Sequence, residues 1–172
     1  MALREIITAP DARLKQVSAP IDKVDDSIRA LMDDMLETMY AAPGIGLAAI
    51  QVGVPKRVIV MDLARDGEPP EPMYFANPEI ITTTEDMATY EEGCLSVPEF
   101  YEEVDRPATC RVKFLDYQNE MREIECDGLM ATCIQHEMDH LEGILFVDHL
   151  SRIKRSMVLK KLAKAKKLAE TA

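Results

Sequence analysis

The sequence predicts an α+β fold in which small mixed or antiparallel sheets surround a central helix, and a further helix follows near the end of the chain. Two observations predict this class. Helix-like and strand-like patterns occur in blocks, as one helix, several strands and then two helices, without regular alternation. The second helical pattern also contains H-E-x-x-H between two apolar runs, which indicates a helix within the fold.

The length and composition indicate one compact domain. The chain has 172 residues, of which 47% are hydrophobic, and this is enough apolar content for a core. No apolar run approaches the ~20 residues of a membrane span, and the first residues lack a signal or transit pattern, so we expect a cytoplasmic protein. Without a secretion signal, we expect free thiols or metal ligands at all four cysteines: Cys94, Cys110, Cys126 and Cys133.

The first half of the chain predicts one helix followed by strands. Asp25 or Asp26 is a candidate helix cap, and Pro43-Gly44 ends the pattern. After it, "RVIVMDL" predicts a buried strand, "RDGEPPEP" predicts a surface loop, and "MYFANP", "EIITTT" and "MATYEEGCLSV" are strand-like. The apolar positions that define the helix are Ile28, Leu31, Met32, Met35, Leu36 and Met39.

The second half predicts a hairpin and two helices. Alternation from Cys110 to Phe114, the turn "YQNE" and the segment "MREIEC" predict two antiparallel strands. Asp127 is then a candidate cap for a helix that ends at Gly143, and a last helix is expected from about Ser151 to Ala169.

The segment "CIQHEMDHLEG" indicates a metal site. His136 and His140 are four residues apart, so an α-helix brings both imidazoles to one face, where they can bind one metal ion. Glu137 points to the side, where it can act as a general base on water, as in H-E-x-x-H hydrolases. A polar surface helix is the alternative. The apolar flanks "LMATCI" and "LEGILFV" favour a half-buried helix, in which two histidines need a partner.

The third metal ligand stays open from the residues alone. A catalytic metal usually takes three protein ligands, but His149 lies beyond the helix end, and Phe146 occupies the position of the last histidine in the metzincin pattern. Cys133 shares the helix face but lies roughly 7 Å along the axis from the midpoint of the two histidines, so we expect it to be buried packing. Cys94 differs because "EEGCLSVP" predicts an irregular, exposed turn at the end of a strand.

Three motifs in order make the sequence resemble the peptide deformylases over essentially its whole length: "GIGLAAIQ" (44–51), "EGCLS" (92–96) and "QHEMDHLEG" (135–143). The resemblance implies a bacterial, cytoplasmic hydrolase that removes the formyl group from the formylmethionine of nascent polypeptides and releases formate. It also implies one divalent metal ion, Fe(II) natively, with zinc, nickel or cobalt able to occupy the site.

The resemblance implies a role for each matching residue. The metal ligands would be Cys94, His136 and His140, and Glu137 would be the general base and then the acid. Gln51 and the backbone N–H of Leu95 would donate to the developing oxyanion. The residues implied in substrate binding, each of which could equally belong to the core, are Ile45, Gly46, Glu92, Gly93, Leu129, Thr132 and Cys133.

One segment departs from the resemblance. Some members have an arginine shortly after the second motif, near the downstream backbone of the substrate. This chain has Tyr101, Glu102 and Glu103 there, and Arg106 follows, where a structural role is the alternative. The way in which the peptide beyond methionine is held is therefore not implied by the motifs.

Charge is distributed unevenly along the chain. The net charge is −11, but residues 151–172 carry eight Lys or Arg and one Glu, so residues 1–150 carry −18. We expect residues 1–150 to be the catalytic part and 151–172 to be a basic helix of the same domain. The acidic body excludes DNA as a partner, and no membrane partner is expected. The basic helix either packs on the body with solvated lysines or contacts ribosomal RNA.

Two other functions compete with deformylation. An H-E-x-x-H metallopeptidase of another family would need a third His or Glu ligand and would not depend on Cys94. A non-enzymatic module with a structural metal would need four protein ligands and would have no activity.

Overall fold

The protein is described by a computed structural model that covers residues 2–171, and its elements follow the predicted order. The α+β class is confirmed. None of the described helices is long and apolar enough to cross a membrane. The helices are α1 (Asp26–Ala41), α2 (Gly128–Leu141) and α3 (Arg152–Thr171). The strands are β1 (Gly46–Ala48), β2 (Val58–Met61), β3 (Met73–Thr83), β4 (Met87–Cys94), β5 (Val97–Pro107), β6 (Cys110–Leu115) and β7 (Met121–Cys126).

The seven strands form two antiparallel sheets. Five of them are arranged in the order β1-β2-β3-β6-β7, and β4 and β5 form a separate two-stranded sheet. The predicted hairpin is β6–β7, and the two pieces "MYFANP" and "EIITTT" are one strand, β3, whose pairing with β6 shifts register twice. The eleven-residue strand β5 was not predicted, because its first half is rich in Pro and Glu and carries little hydrophobic alternation.

The five-stranded sheet is covered on both faces by helices. Val58 and Val60 belong to the apolar cluster of α1, whereas Ile59 and Met61 belong to that of α2. Successive residues of a strand point to opposite faces, so every residue of β2 is buried. This explains why "RVIVMDL" is continuously apolar.

Helix α1 begins and ends where the sequence predicts. The Asp25 side chain accepts a hydrogen bond from the Ile28 N–H, which satisfies one of the free donors of the first turn. Asp127 precedes α2 as expected, but its side chain makes no capping bond. Gly143 follows α2 with φ +75°, and a Cβ at this position would lie 2.4 Å from the Lys15 carbonyl oxygen. A glycine is therefore required both by the turn and by the close approach of the chain.

A third apolar cluster joins the β4–β5 hairpin to the C-terminal helix. Val158 and Leu162 of α3 are buried with Val97 and Val104 of β5 and with Phe146, which lies in a short 3-10 helix at Phe146–His149. The hairpin is thereby fixed against the segment that follows α2. This contact sets the position of the end of β4, where Cys94 lies.

Candidate metal centre

Helix α2 and the end of β4 bring three potential ligands together. The candidate ligand atoms of Cys94, His136 and His140 all lie within 4.8 Å of one another. The Cys94 Sγ is 3.4 Å from the His140 Nε2, and the two imidazole centroids are 5.1 Å apart. One thiol and two imidazoles form a donor set that suits a divalent transition metal. Cys94 is therefore the candidate for the third metal ligand, which the sequence spacing left open.

The hairpin turn determines how Cys94 reaches the helix. Cys94 is the last residue of β4, it pairs with Val97 across the turn, and its side chain is half-buried. The turn lies at the next residues, Leu95 and Ser96, and the prediction that it is exposed is wrong, because Leu95 is half-buried and Ser96 is buried. The preceding Gly93 permits close packing, because a Cβ there would lie 2.4 Å from the ring of Tyr101.

Glu137 lies beside the cluster with one oxygen unsatisfied. Its Oε1 is 3.7 Å from the His136 Nε2, while its buried Oε2 has no hydrogen-bond partner among the described residues. Burial raises the pKa of Glu137 to about 7. A buried carboxylate oxygen without a partner is costly in a closed core. Its position beside three ligand atoms fits a site that receives a metal ion and water or substrate.

Behind His136, a buried ion pair fixes the ring. The His136 Nδ1 is 2.9 Å from the Glu92 Oε1, so Glu92 accepts from Nδ1–H and the Nε2 is left toward the cluster. Arg106 donates to both oxygens of Glu92, at 2.7 and 2.9 Å, and both side chains are buried. Burial would raise the pKa of Glu92, but the hydrogen bonds from His136 and Arg106 hold that pKa below its ordinary value.

The same network extends to the surface. The Arg106 Nη1 donates to the Asp139 Oδ2 at 2.8 Å, and the His149 Nε2 lies 2.8 Å from the same oxygen. His149 is thus occupied as a partner of Asp139, and it does not belong to the ligand group found among residues 2–171. From the sequence alone, Arg106 could either contact the downstream backbone of the substrate or have a structural role. Its alternation with buried Val104 was the available signal for a side chain that points inward.

Gln51 is held with its amide beside the turn. Its Oε1 accepts from the Ala48 N–H at 2.9 Å, and its Nε2 donates to the Ser96 Oγ at 3.0 Å. The same Nε2 is 3.6 Å from the Cys94 Sγ. Because the oxygen is bound to backbone, the NH₂ group is directed toward Cys94. The neighbouring Leu95 packs against Gly44 of the motif "GIGLAAIQ", because a Cβ at Gly44 would lie 2.7 Å from the Leu95 Cδ1.

A cavity of about 660 Å³ opens at the cluster. Gly46 lets β1 approach α2, because a Cβ there would lie 3.0 Å from the Cys133 Sγ and 3.1 Å from the Glu137 Cγ. Cys133 is buried, as predicted, and burial raises its pKa. Glu92 also lines the cavity, but both of its carboxylate oxygens are already hydrogen-bonded to Arg106 or His136. Its carboxylate therefore supports His136. All the residues predicted for substrate binding line it: Ile45, Gly46, Glu92, Gly93, Leu129, Thr132 and Cys133.

Comparison with known proteins shows the family of this chain. The family model for polypeptide deformylase matches residues 3–156. The peptide deformylase of Phenylobacterium zucineum is 66% identical over 169 residues, which are 98% of this chain and 100% of that protein. Solved structures of peptide deformylases from Ehrlichia chaffeensis and Legionella pneumophila superimpose with TM-scores of 0.93 and 0.90, at 40% and 44% identity, over 98–99% of this chain and 99% of each of those chains. This chain therefore belongs to the peptide deformylase family, whose members are hydrolases that remove N-terminal formyl groups.

Proposed function

We propose that the chain carries out its family's reaction at the cluster of Cys94, His136 and His140, and that these three residues hold one divalent metal ion. The substrate is a nascent polypeptide that begins with formylmethionine, and formate is released. The observation that carries this proposal is the approach of three ligand atoms to within 4.8 Å beside a buried, unpartnered oxygen of Glu137.

The metal supplies electrophilic chemistry to this site. When bound, it lowers the pKa of a coordinated water and polarises the formyl carbonyl. We propose Fe(II) as the native ion, with zinc, nickel or cobalt able to occupy the same ligands. The mixed thiolate and imidazole set suits all four ions.

Glu137 moves the proton in the proposed reaction. Its Oε2 accepts a proton from the attacking water, and the same carboxyl then gives it to the leaving amine. In the metal-free protein, burial raises the pKa of Glu137 to about 7, and a carboxyl whose pKa is raised by burial is suited both to take up and to release a proton. Cleavage of the formyl C–N bond then yields formate and a free α-amino group.

Gln51 and Leu95 stabilise the negative charge that develops on the formyl oxygen. The Gln51 Nε2 is fixed through the bond from the Ala48 N–H to its oxygen, so it needs little reorganisation. The backbone N–H of Leu95 is the second donor. One preorganised donor of this kind contributes on the order of 3 kcal/mol to the transition state.

The methionine side chain is proposed to occupy the apolar part of the cavity. Leu129, Thr132 and Cys133 of α2 line this part, and Ile45 and Gly46 of the first motif contribute backbone groups to the same cavity. Gly93 and Glu92 extend the lining along β4.

Substitution of two cysteines tests the ligand set. Cys94→Ala is expected to abolish stoichiometric metal binding and formate release, whereas Cys133→Ala keeps the metal. Metal content by elemental analysis, together with formate release from a formyl-Met peptide, gives both readouts. Loss of metal in Cys133→Ala with retention in Cys94→Ala would overturn the assignment.

We also propose a cytoplasmic location and a contact between α3 and the ribosome, where the substrate emerges. Helix α3 buries Val158 and Leu162 against the body, while its lysines face solvent. Replacing the exposed Lys160, Lys161 and Lys164 by Gln leaves the buried face intact. Co-sedimentation with ribosomes should weaken and show a shallower salt dependence. An unchanged salt slope would count against the contact.

A further inference from the structure

The rim of the cavity is acidic where the β4–β5 hairpin forms it. Glu91 and Glu99 line the cavity together with Tyr101, and all three side chains are exposed. The pairing register sets Glu91 directly opposite Glu103, and Gly93 directly opposite Tyr101. Directly opposed residues share a face of a sheet, so the outer face of the hairpin carries several carboxylates next to the entrance.

These carboxylates have no cation of their own. Among residues 2–171, no ion pair or hydrogen bond is made by the side chains of Glu91, Glu99 or Glu103, and no Lys or Arg lines the cavity. The nearby Lys154 reaches Glu102 instead, at 3.5 Å. Like charges directly opposite each other destabilise a strand pair. A positively charged ligand would relieve this repulsion.

Tyr101 adds an aromatic surface to the same rim. It is 64% exposed, and its ring packs over Gly93, which leaves no room for a side chain at that position. Ring faces attract Lys and Arg side chains. The rim therefore offers two carboxylates and a π-surface within one cavity, whose inner end holds the unpartnered Oε2 of Glu137.

We infer that this rim selects formylated peptides that carry Lys or Arg in the two residues after formylmethionine. The inference rests on the proposed function, since it takes the cavity as the peptide site. The binding chemistry is that of a cationic side chain, with the carboxylates of Glu91 and Glu99 and the ring of Tyr101 as its partners.

The test compares peptides that differ only in these two positions. We expect kcat/KM for formyl-Met-Lys-Lys to exceed that for formyl-Met-Glu-Glu by about twofold to fivefold at low salt, which is within the range typical of an exposed charge pair. The ratio should fall toward one in about 0.5 M NaCl, where screening shortens the range of such interactions. These measurements use the wild-type enzyme with its metal and need no variant.

A pair of variants identifies the residues responsible. Glu91→Gln/Glu99→Gln should lower the Lys-to-Glu ratio, while Glu79→Gln, an exposed carboxylate of β3 outside the cavity, should leave it unchanged. A ratio near one in the wild type, or a ratio that the double variant leaves unchanged, would overturn the inference. Absence of formate release from every peptide, including formyl-Met-Ala-Ala, would instead contradict the proposed function.

Discussion

The buried pair of Arg106 and Glu92 offers the most quantitative prediction. Arg106→Met removes two hydrogen bonds to Glu92 and one to Asp139, and leaves the Glu92 carboxyl in a site where its side chain is 4% exposed. Removing one partner of such a pair costs about 3–5 kcal/mol. This is a large share of the roughly 5–15 kcal/mol that stabilises a typical domain. Urea unfolding of the metal-free protein measures the loss.

The same change should weaken metal binding. Glu92 without its arginine holds a proton more readily, and a neutral carboxyl accepts the Nδ1–H of His136 more weakly than a carboxylate does. Loss of such outer partners typically lowers metal affinity by about 10–100-fold. Competition with a chelator measures this affinity directly.

Two control variants separate charge burial from ligand positioning. Arg111→Met breaks an exposed pair with Glu123, whose side chains are 44% and 47% exposed, and should cost no more than about 1 kcal/mol. Glu92→Leu/Arg106→Met removes both buried charges and should recover much of the stability but not the metal affinity. If Arg106→Met matched Arg111→Met in unfolding free energy and kept wild-type metal affinity, the reasoning would be refuted.

Single substitutions at Glu137, Gly143 and Asp148 test three separate features of the structure. Glu137→Gln should keep its metal and lose about 10²–10⁴-fold in kcat, measured by formate release; an unchanged kcat would remove Glu137 from the reaction. Gly143→Ala should destabilise the protein by more than the about 1–2 kcal/mol of a left-handed residue, because its Cβ meets the Lys15 backbone. Gly67→Ala is the control, because Gly67 has φ +88° but open space around it. Equal losses of stability in the two variants would show that the clash with Lys15 contributes nothing. Burial raises the pKa of Asp148, but bonds from Leu145 N–H and from two cations hold it below 3.8. The charged Asp148 therefore stabilises the fold fully above the pKa that it has in the unfolded chain, and this stabilisation is lost as the pH falls through its pKa in the folded protein. In Asp148→Asn, the melting temperature should fall less steeply with acidification than in the wild type. An identical fall in both proteins would contradict this.

The helices and the β6–β7 hairpin were predictable because each has a local cause. Spacing of apolar residues, a cap at Asp25 and a left-handed glycine at 143 act within a few residues of the chain. The strand β5 was missed because its pairing with β4 stabilises it more than its own sequence does. Its burial alternates from Phe100 to Arg106, but the inward positions include Glu102 and Arg106, so the alternation is not one of apolar and polar residues.

The candidate site also has one part that local sequence patterns predict and another that only tertiary pairing brings together. His136, His140 and Glu137 follow from helix geometry, and the expected burial of Cys133 is confirmed. Cys94 came from resemblance, because nothing in local spacing predicts which turn meets α2. The support of His136 by Glu92 and Arg106 joins β4, β5 and α2, so it depends on tertiary pairing that no local pattern contains.

Formate release by protein purified without oxygen and supplied with Fe(II) is the direct test of deformylation at this site. We expect stoichiometric formate and a free amino terminus from formyl-Met-Ala-Ser, with no cleavage of internal peptide bonds. Mass spectrometry of the product identifies both outcomes. Internal cleavage, or the absence of formate from a protein that retains its metal, would show that the chain is not a deformylase.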